Sequence, residues 1–277
     1  MPAAVSTLSL ERPRSLKAAL ALLAGSEPLT PIAGCTDVYV ALHFGQLSQI
    51  APERRFIDLW ELKELRGITL ERDVLRIGAL TTYTEIIASK IVQKRVPMLV
   101  AASREVGGAQ IQNRGTLGGN VANASPAGDT LPVLAAANAR IVLRSYAKTR
   151  TVPFETFYTG YRTSVRRPDE LITAIEIPRI DGEQWWRKVG TRRAQAISKI
   201  MMAGVRGKDV RIGIGSVGPT VVLAKNAAAV LASGGSVAAA QAALMKEITP
   251  IDDVRSTGEY RARVSANLLA QFWEDTK

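Results

Sequence analysis

The stretch "NRGTLGGNVANASPAGD", Asn113–Asp129, decides how the chain is read. It offers almost nothing to a hydrophobic core. Gly115, Gly118 and Gly119 permit a close approach of backbone to a ligand, or a positive φ. Thr116, Asn120, Asn123 and Ser125 supply hydrogen bonds without charge, and Asp129 can accept from a hydroxyl or an amine. Composition alone leaves two readings open: a backbone cradle for a ligand, and a glycine-rich structural turn.

The flanks are more regular. Upstream, "VPMLVAASREV" (Val96–Val106) is read as a helix stopped by Gly107-Gly108, and "TTYTEIIAS" (Thr81–Ser89) opens another, with Thr82 and Glu85 at capping-box spacing. "RRFIDLW" (Arg54–Trp60) reads as a strand, and "VLRIGAL" (Val74–Leu80) as another with clean alternation. Nearer the start, Ser15 caps a predicted helix over 15–24, with Leu16, Leu20 and Leu23 on one face and Gly25 as its stop. A short strand over 29–33 then enters "PIAGCTDV" (Pro31–Val38). This is a β-turn-α loop with a tight turn at Gly34 and Thr36 and Asp37 as N-cap candidates, leading to a helix from Val38 to Phe44. Backbone N–H groups at such a turn suit a phosphate.

Downstream, "ARIVLRSY" (Ala139–Tyr146) and "DELITAIEIP" (Asp169–Pro178) are predicted strands. Beyond Pro178 three strand-like runs, 184–190, 196–206 and 209–217, give way to Ala-rich helices. The last helix, "STGEYRARVSANLLAQFW" (Ser256–Trp273), opens with a Ser-x-x-Glu box and places Tyr260, Val264, Leu268 and Phe272 on one face. Strands followed by helices predict a separate α+β unit after residue 178. "GIGSVG" (Gly213–Gly218) matches a dinucleotide-binding pattern only formally. Pro219 follows at once, and no acid stands about 20 residues on to hold a ribose, so it is read as a strand ending in a Gly-Pro turn.

The totals exclude whole classes of chemistry. Among 277 residues there is one cysteine, Cys35, and one histidine, His43. No disulfide, Cys-rich zinc site or iron–sulfur cluster can be built within the chain, and a Ser-His-Asp triad or a His-based metal centre is close to excluded. His43, in "VYVALHFG", reads as a packing residue. No apolar run is long enough to span a bilayer. With almost no cysteine the expected compartment is the cytoplasm. A net charge of +11 points to an acidic protein partner or a phosphate ligand, and basic residues spread without a tail or interleaved aromatics argue against nucleic acid.

"QIQNRGTLGGNVANASPAGD" (Gln110–Asp129) resembles the signature of the FAD-binding medium subunit of the molybdenum hydroxylases, the xanthine dehydrogenase and carbon monoxide dehydrogenase family. "AGCTDV" resembles the family's Ala-Gly-Gly-Thr-Asp-Leu loop. "PDELITAIEIP", "RKVGTRRAQAISKI" (Arg187–Ile200) and "RSTGEYRARV" (Arg255–Val264) resemble three further segments in the same order. The resemblance implies an α+β chain: a two-subdomain PCMH-type FAD-binding fold over 1–178, divided near residue 60. A small C-terminal domain over 179–277 would follow, with a three-stranded antiparallel sheet and helices. It implies FAD contacts from Ile32, Ala33, Gly34, Cys35, Thr36 and Asp37, from Thr116, Leu117, Gly118, Gly119 and Asn120, and from Asp129, Ile172 and Lys188. Lys188, as a cation beside the isoalloxazine, would favour the reduced flavin. It further implies electrons arriving from [2Fe-2S] clusters on a small subunit and a molybdenum cofactor on a large one, in a dimer of heterotrimers, and leaving to NAD, oxygen or a quinone. The near-absence of cysteine fits that division of labour and argues against a medium chain carrying a [4Fe-4S] cluster of its own.

Two departures stand out. Cys35 replaces the commoner glycine, and "AGVRGKDVRIGIGSVGPT" is shorter than the family's strand-turn-strand. A stand-alone FAD-dependent oxidoreductase is the alternative. It would need a proton-handling residue, for which Tyr158 and Tyr161 are the visible candidates.

Overall fold

The computed structural model describes residues 9–43 and 55–277, and side chains from 55 and up to 42. The expected ends of two elements, Phe44 and Arg54, and the side chain of His43 lie outside the described residues. The chain begins with β1 (Ser9–Glu11), α1 (Leu16–Leu23), β2 (Leu29–Ile32), α2 (Thr36–His43) and β3 (Arg55–Asp58). Both β1 and β2 pair parallel to the central β3. Ser15 caps α1, its side chain accepting from the Ala18 N–H, and Leu16, Ala19, Leu20 and Leu23 bury one face against Ile57, Leu62, Leu65 and Leu80.

A second sheet starts with β4 (Ile68–Glu71) and β5 (Val74–Gly78). Six short helices follow: α3 (Tyr83–Ala88), α4 (Lys90–Arg95), α5 (Pro97–Arg104), α6 (Ala109–Gln112), α7 (Leu117–Asn123) and α8 (Leu131–Ala136). The chain returns through β6 (Arg140–Arg144), β7 (Thr149–Pro153), the hairpin β8 (Tyr158–Gly160) and β9 (Thr163–Ser164), and β10 (Leu171–Ile177). Strand order is β4-β5-β10-β6-β7, antiparallel throughout. The capping box at Thr82 and Glu85 is present on α3. The opening stretch is not a loop: its middle is α7, capped by Thr116 and closed at Ala124 in the left-handed region. Its short length and lack of apolar periodicity hid it.

The C-terminal part carries β11 (Gly182–Val189), β12 (Ile200–Gly207), β13 (Arg211–Gly215), β14 (Val222–Leu223), α9 (Lys225–Ala232), α10 (Val237–Met245) and α11 (Gly258–Asp275). The expected three antiparallel strands are there, and the two-residue β14 extends the edge. The middle strand starts at Ile200, later than its apolar pattern suggests, because the residues before it form an irregular turn with Gln195 at φ 53, in the left-handed region. On α11 the cap is Thr257, whose side chain accepts from the Tyr260 N–H, so the helix begins one residue later than a Ser256 box would place it. Its buried stripe is correspondingly Arg261, Ser265, Leu268, Leu269 and Phe272, with Tyr260 and Val264 at its margin.

This sheet is covered on both faces, which explains the unbroken apolar run "IMMAGV". Ile200 and Met202 face α9–α11, and the Phe272 ring lies against Gly204, where an added Cβ would fall 2.4 Å from it. Trp186, Ala203 and Val205 join the core formed by the second sheet and its helices. Gly213 and Gly215 of "GIGSVG" serve the same packing. A Cβ on Gly213 would lie 2.2 Å from the Pro132 carbonyl oxygen, and the Ser216 N–H donates to the Pro126 carbonyl. Among the described residues no helix is long and apolar enough to cross a membrane.

Candidate functional site

The turn after β2, the N-terminal part of α7 and the start of β10 meet around a cavity of about 660 Å³. Glycine brings the first two together. A Cβ on Gly34 would stand 1.8 Å from the Arg114 carbonyl oxygen, so the two stretches touch backbone to backbone only because that atom is absent. Gly118 has the same role against Ala79, at 2.6 Å, and Gly115 against the Tyr83 ring, at 2.9 Å. None of Gly115, Gly118 and Gly119 has a positive φ. These glycines serve contact within the protein first, which the sequence reading had assigned to ligand approach.

Of the residues expected at the site, Ile32 to Asp37, Thr116, Gly118, Gly119, Asn120, Asp129 and Ile172 line the cavity. Leu117 and Lys188 do not. Leu117 is fully buried in the core of the second sheet. Lys188 pairs instead with Asp129, Nζ to Oδ2 at 2.7 Å. Sequence reasoning missed Tyr83, Arg162, Arg166, the turn Gln195–Ile197 and Arg255, all of which contribute to the wall. Arg255 had a signal, since it opens the "RSTGEYRARV" segment. The loop carrying it is pinned from behind: buried Arg261 donates to the Ile251 carbonyl and pairs with Asp253 at 2.7 Å, holding that carboxyl down to about 2.

The two stretches differ in what they leave open. In α7 the first four N–H groups all have acceptors: Leu117 on the Thr81 carbonyl, Gly118 on Ala79, Gly119 on the Thr116 hydroxyl and Asn120 on the Thr116 carbonyl. The N–H groups of Gly34, Cys35, Thr36 and Asp37 donate to no backbone carbonyl in a turn, loop or cap among the described residues. The Cys35 carbonyl accepts the first bond of α2, from Tyr39, so Cys35 is the cap, and Thr36 and Asp37 belong to the first turn. N–H groups without such acceptors, an 8-residue helix after them and residues that line a cavity are the elements of an anion site.

Side chains around the cavity form relays. The Thr130 hydroxyl donates to Asn120 Oδ1 at 2.6 Å and bonds the buried Tyr83 hydroxyl, whose ionisation burial drives well above its usual range. Arg162 donates to Asn123 Oδ1 at 2.9 Å, and Asn123 bonds Asp37. Burial raises the Asp37 carboxyl, against the opposing effects of Arg162 and Asn123. Neither Tyr158 nor Tyr161 lines the cavity. The Tyr158 hydroxyl donates to the Val121 carbonyl, and Tyr161 is exposed. Among the described residues no cluster of three His, Cys, Asp or Glu could hold a metal ion.

Cys35 answers the question raised by its replacement of glycine. It sits at φ 61, in the left-handed region, with its thiol on the Ala33 carbonyl at 3.4 Å. Burial, then Asp58, push the thiol up, against Arg114, so it is a poor nucleophile. A left-handed conformation costs a side-chain-bearing residue about 1–2 kcal/mol. Cys35→Gly is therefore expected to stabilise the chain by about 1 kcal/mol after the extra freedom of the unfolded glycine is subtracted. The urea midpoint should rise at unchanged slope; a fall would mean that the thiol contact outweighs the backbone strain.

Comparison with known proteins agrees with this arrangement. Residues 6–180 match the model of the FAD binding domain in molybdopterin dehydrogenase, and residues 187–276 that of the CO dehydrogenase flavoprotein C-terminal domain. The chain is 32% identical to the glyceraldehyde dehydrogenase medium chain of Sulfolobus acidocaldarius, over 96% of this chain and 97% of that one. It is 29% identical to the carbon monoxide dehydrogenase medium chain of Hydrogenophaga pseudoflava, over 90% and 86%. A solved structure of carbon monoxide dehydrogenase from the latter organism superposes with a TM-score of 0.87 at 28% identity, covering 95% of each chain. With both halves matched in order and the two signature stretches joined at one cavity, the chain belongs to the FAD-binding medium chains of the molybdopterin dehydrogenase family.

Proposed function

We propose that this chain is the electron-transfer subunit of a molybdenum-dependent hydroxylase or dehydrogenase in the cytoplasm, with FAD held in the cavity between the first turn and β10. Bound FAD would supply the redox step, taking electrons from [2Fe-2S] clusters of a small partner subunit and passing them to NAD, oxygen or a quinone. A large partner would carry the molybdenum cofactor, as in a dimer of heterotrimers. We place the division between FAD-binding and C-terminal domains at residues 178 and 179, and that between the two subdomains near residue 60. Support comes from the end of the parallel sheet at Asp58, the separate core around α9–α11 and the two family matches.

The observation that carries the reading is that the turn Gly34–Asp37, whose N–H groups have no backbone acceptor in a turn, loop or cap among the described residues, lines a cavity of cofactor size. They would hold the pyrophosphate, with Arg162, Arg166 and Arg255 adding positive charge to the wall. Thr116, Gly118, Gly119 and Asn120 would frame the opposite side, Ile172 would offer its apolar edge, and Asp129 would accept from a hydroxyl or ring N–H. The chain's own work is then binding, orienting and excluding water, with no proton carrier required. That need is what weakens the stand-alone oxidoreductase, whose two tyrosines lie away from the wall.

The purified chain should be yellow and should release FAD on denaturation. In its native host it should co-purify with a cysteine-rich small chain and a large molybdenum-containing one. Colourless protein that cannot be loaded with FAD would sink the assignment, and steady turnover of a small alcohol by this chain alone would replace it with the stand-alone enzyme.

A further inference from the structure

We propose that Lys188 and Ser198 are positioning residues for the flavin site: from the C-terminal sheet they grip the Asp129 carboxylate and hold it in the cavity wall as a fixed acceptor for a hydrogen-bond donor of the flavin. The inference rests on the FAD reading and deepens it. Asp129 lines the cavity at 9% exposure, and each of its oxygens is held from behind. Oδ2 accepts from Lys188 Nζ at 2.7 Å and Oδ1 from the Ser198 hydroxyl. Lys188 spends a second donor on the Glu105 carbonyl at 3.0 Å, and its side chain is 4% exposed. Neither Lys188 nor Ser198 belongs to the wall. Of the groups they hold, Asp129 is the one that itself lines the cavity.

The same sheet holds the other end of the turn. The Ser198 carbonyl accepts from the Ser216 hydroxyl at 3.4 Å, and the Ser216 N–H donates to the Pro126 carbonyl at 2.9 Å. The segment Pro126–Asp129 is thus fastened at both ends by groups from β11, the approach to β12 and the end of β13. A carboxylate has about four lone-pair directions, so two remain for the cavity. Burial is the largest influence on Asp129 and favours its neutral form; Lys188 opposes this most strongly, then Ser198, while Glu105 adds to the burial effect. Tyr83 also faces Asp129 from α3 and stays neutral. Without Lys188 the largest opposing influence is gone, so the carboxyl would hold its proton to higher pH, and a protonated carboxyl donates where a carboxylate accepts.

The test is FAD titration of the full-length apo chain, followed by flavin fluorescence at pH values from about 6 to about 9. Wild type should bind with an affinity nearly independent of pH. Lys188→Met should bind at least about 10-fold more weakly than wild type, with a larger deficit at the acid end of the range than at the alkaline end. The double variant Asp129→Asn/Lys188→Met removes both charges and should bind weakly at every pH. Ser198→Ala keeps the ion pair and guards against misfolding. Loss of one hydrogen bond to a charged group predicts about a 10-fold weaker affinity with a near-native melting curve. Wild-type affinity in Ser198→Ala, or a pH-independent wild-type affinity in a folded Lys188→Met, overturns the positioning role while the FAD reading survives. Failure of the wild-type chain to take up FAD overturns both.

Discussion

Gly34→Ala should yield a folded chain that has lost its flavin. The added Cβ would lie 1.8 Å from the Arg114 carbonyl oxygen and 2.6 Å from its carbon, both backbone atoms with no rotamer to escape into. The turn after β2 and the residues leading into α7 must therefore separate, by more than an ångström to restore ordinary contact. Overpacking of this kind costs about 1–3 kcal/mol of stability, a moderate loss for a chain with separate cores elsewhere. Flavin binding loses more, because its two walls are set by this contact. We expect at least a 100-fold weaker FAD affinity, or about 2.7 kcal/mol, and near-zero flavin after purification. Gly218→Ala is the control: its Cβ would meet nothing closer than 3.5 Å, and flavin content should stay native. Stoichiometric FAD in Gly34→Ala would show that the backbone contact does not shape the site. Gly118 makes a poorer probe than its place in the motif suggests, since its Cβ would strike Ala79 in the core and disturb folding as well.

What could be read beforehand follows a physical line. Elements with their own local signals were legible: the Ser15 cap, the Thr82–Glu85 box, the alternation of β5. So was the pairing of the two glycine-rich stretches, through their resemblance to a family. Roles fixed by partners distant in sequence were not legible. The reason for Gly34 is residue 114, and that for Gly213 is Pro132. The partner of Lys188 is Asp129, 59 residues away, so a residue expected to face the flavin turns out to face a carboxylate. In the same way Arg255 reaches the cavity because Arg261 and Asp253 pin its loop, a contact no spacing rule encodes.

Glu170→Ala should be the costliest single change in stability near the site. The Glu170 side chain is 1% exposed. It accepts a bidentate pair from Arg150, at 2.7 and 2.8 Å, and the Arg167 N–H at 2.9 Å. Removing it leaves Arg150 with the Val165 carbonyl and Arg167 with Asp169, beside Arg166, which is held by carbonyls alone. Breaking a buried pair costs about 3–5 kcal/mol; with Arg150 and Arg167 32% and 42% exposed, water recovers part, leaving about 3 kcal/mol. A melting temperature lower by roughly 6–10 °C is expected, and one within about 2 °C of wild type would remove Glu170 from the structural account. The pH dependence has a definite sign. Burial alone would raise this carboxyl, but the bonds from Arg150 and Arg167 outweigh it and hold it below its ordinary 4.5. Its stabilisation is therefore complete above that value and lost as pH falls through the lowered one. The stability gap between wild type and Glu170→Gln should accordingly be full at neutral pH and close in acid. Because Glu170 immediately precedes β10, which carries Ile172 into the cavity, the same variants should bind FAD more weakly at neutral pH, in proportion to their loss of stability.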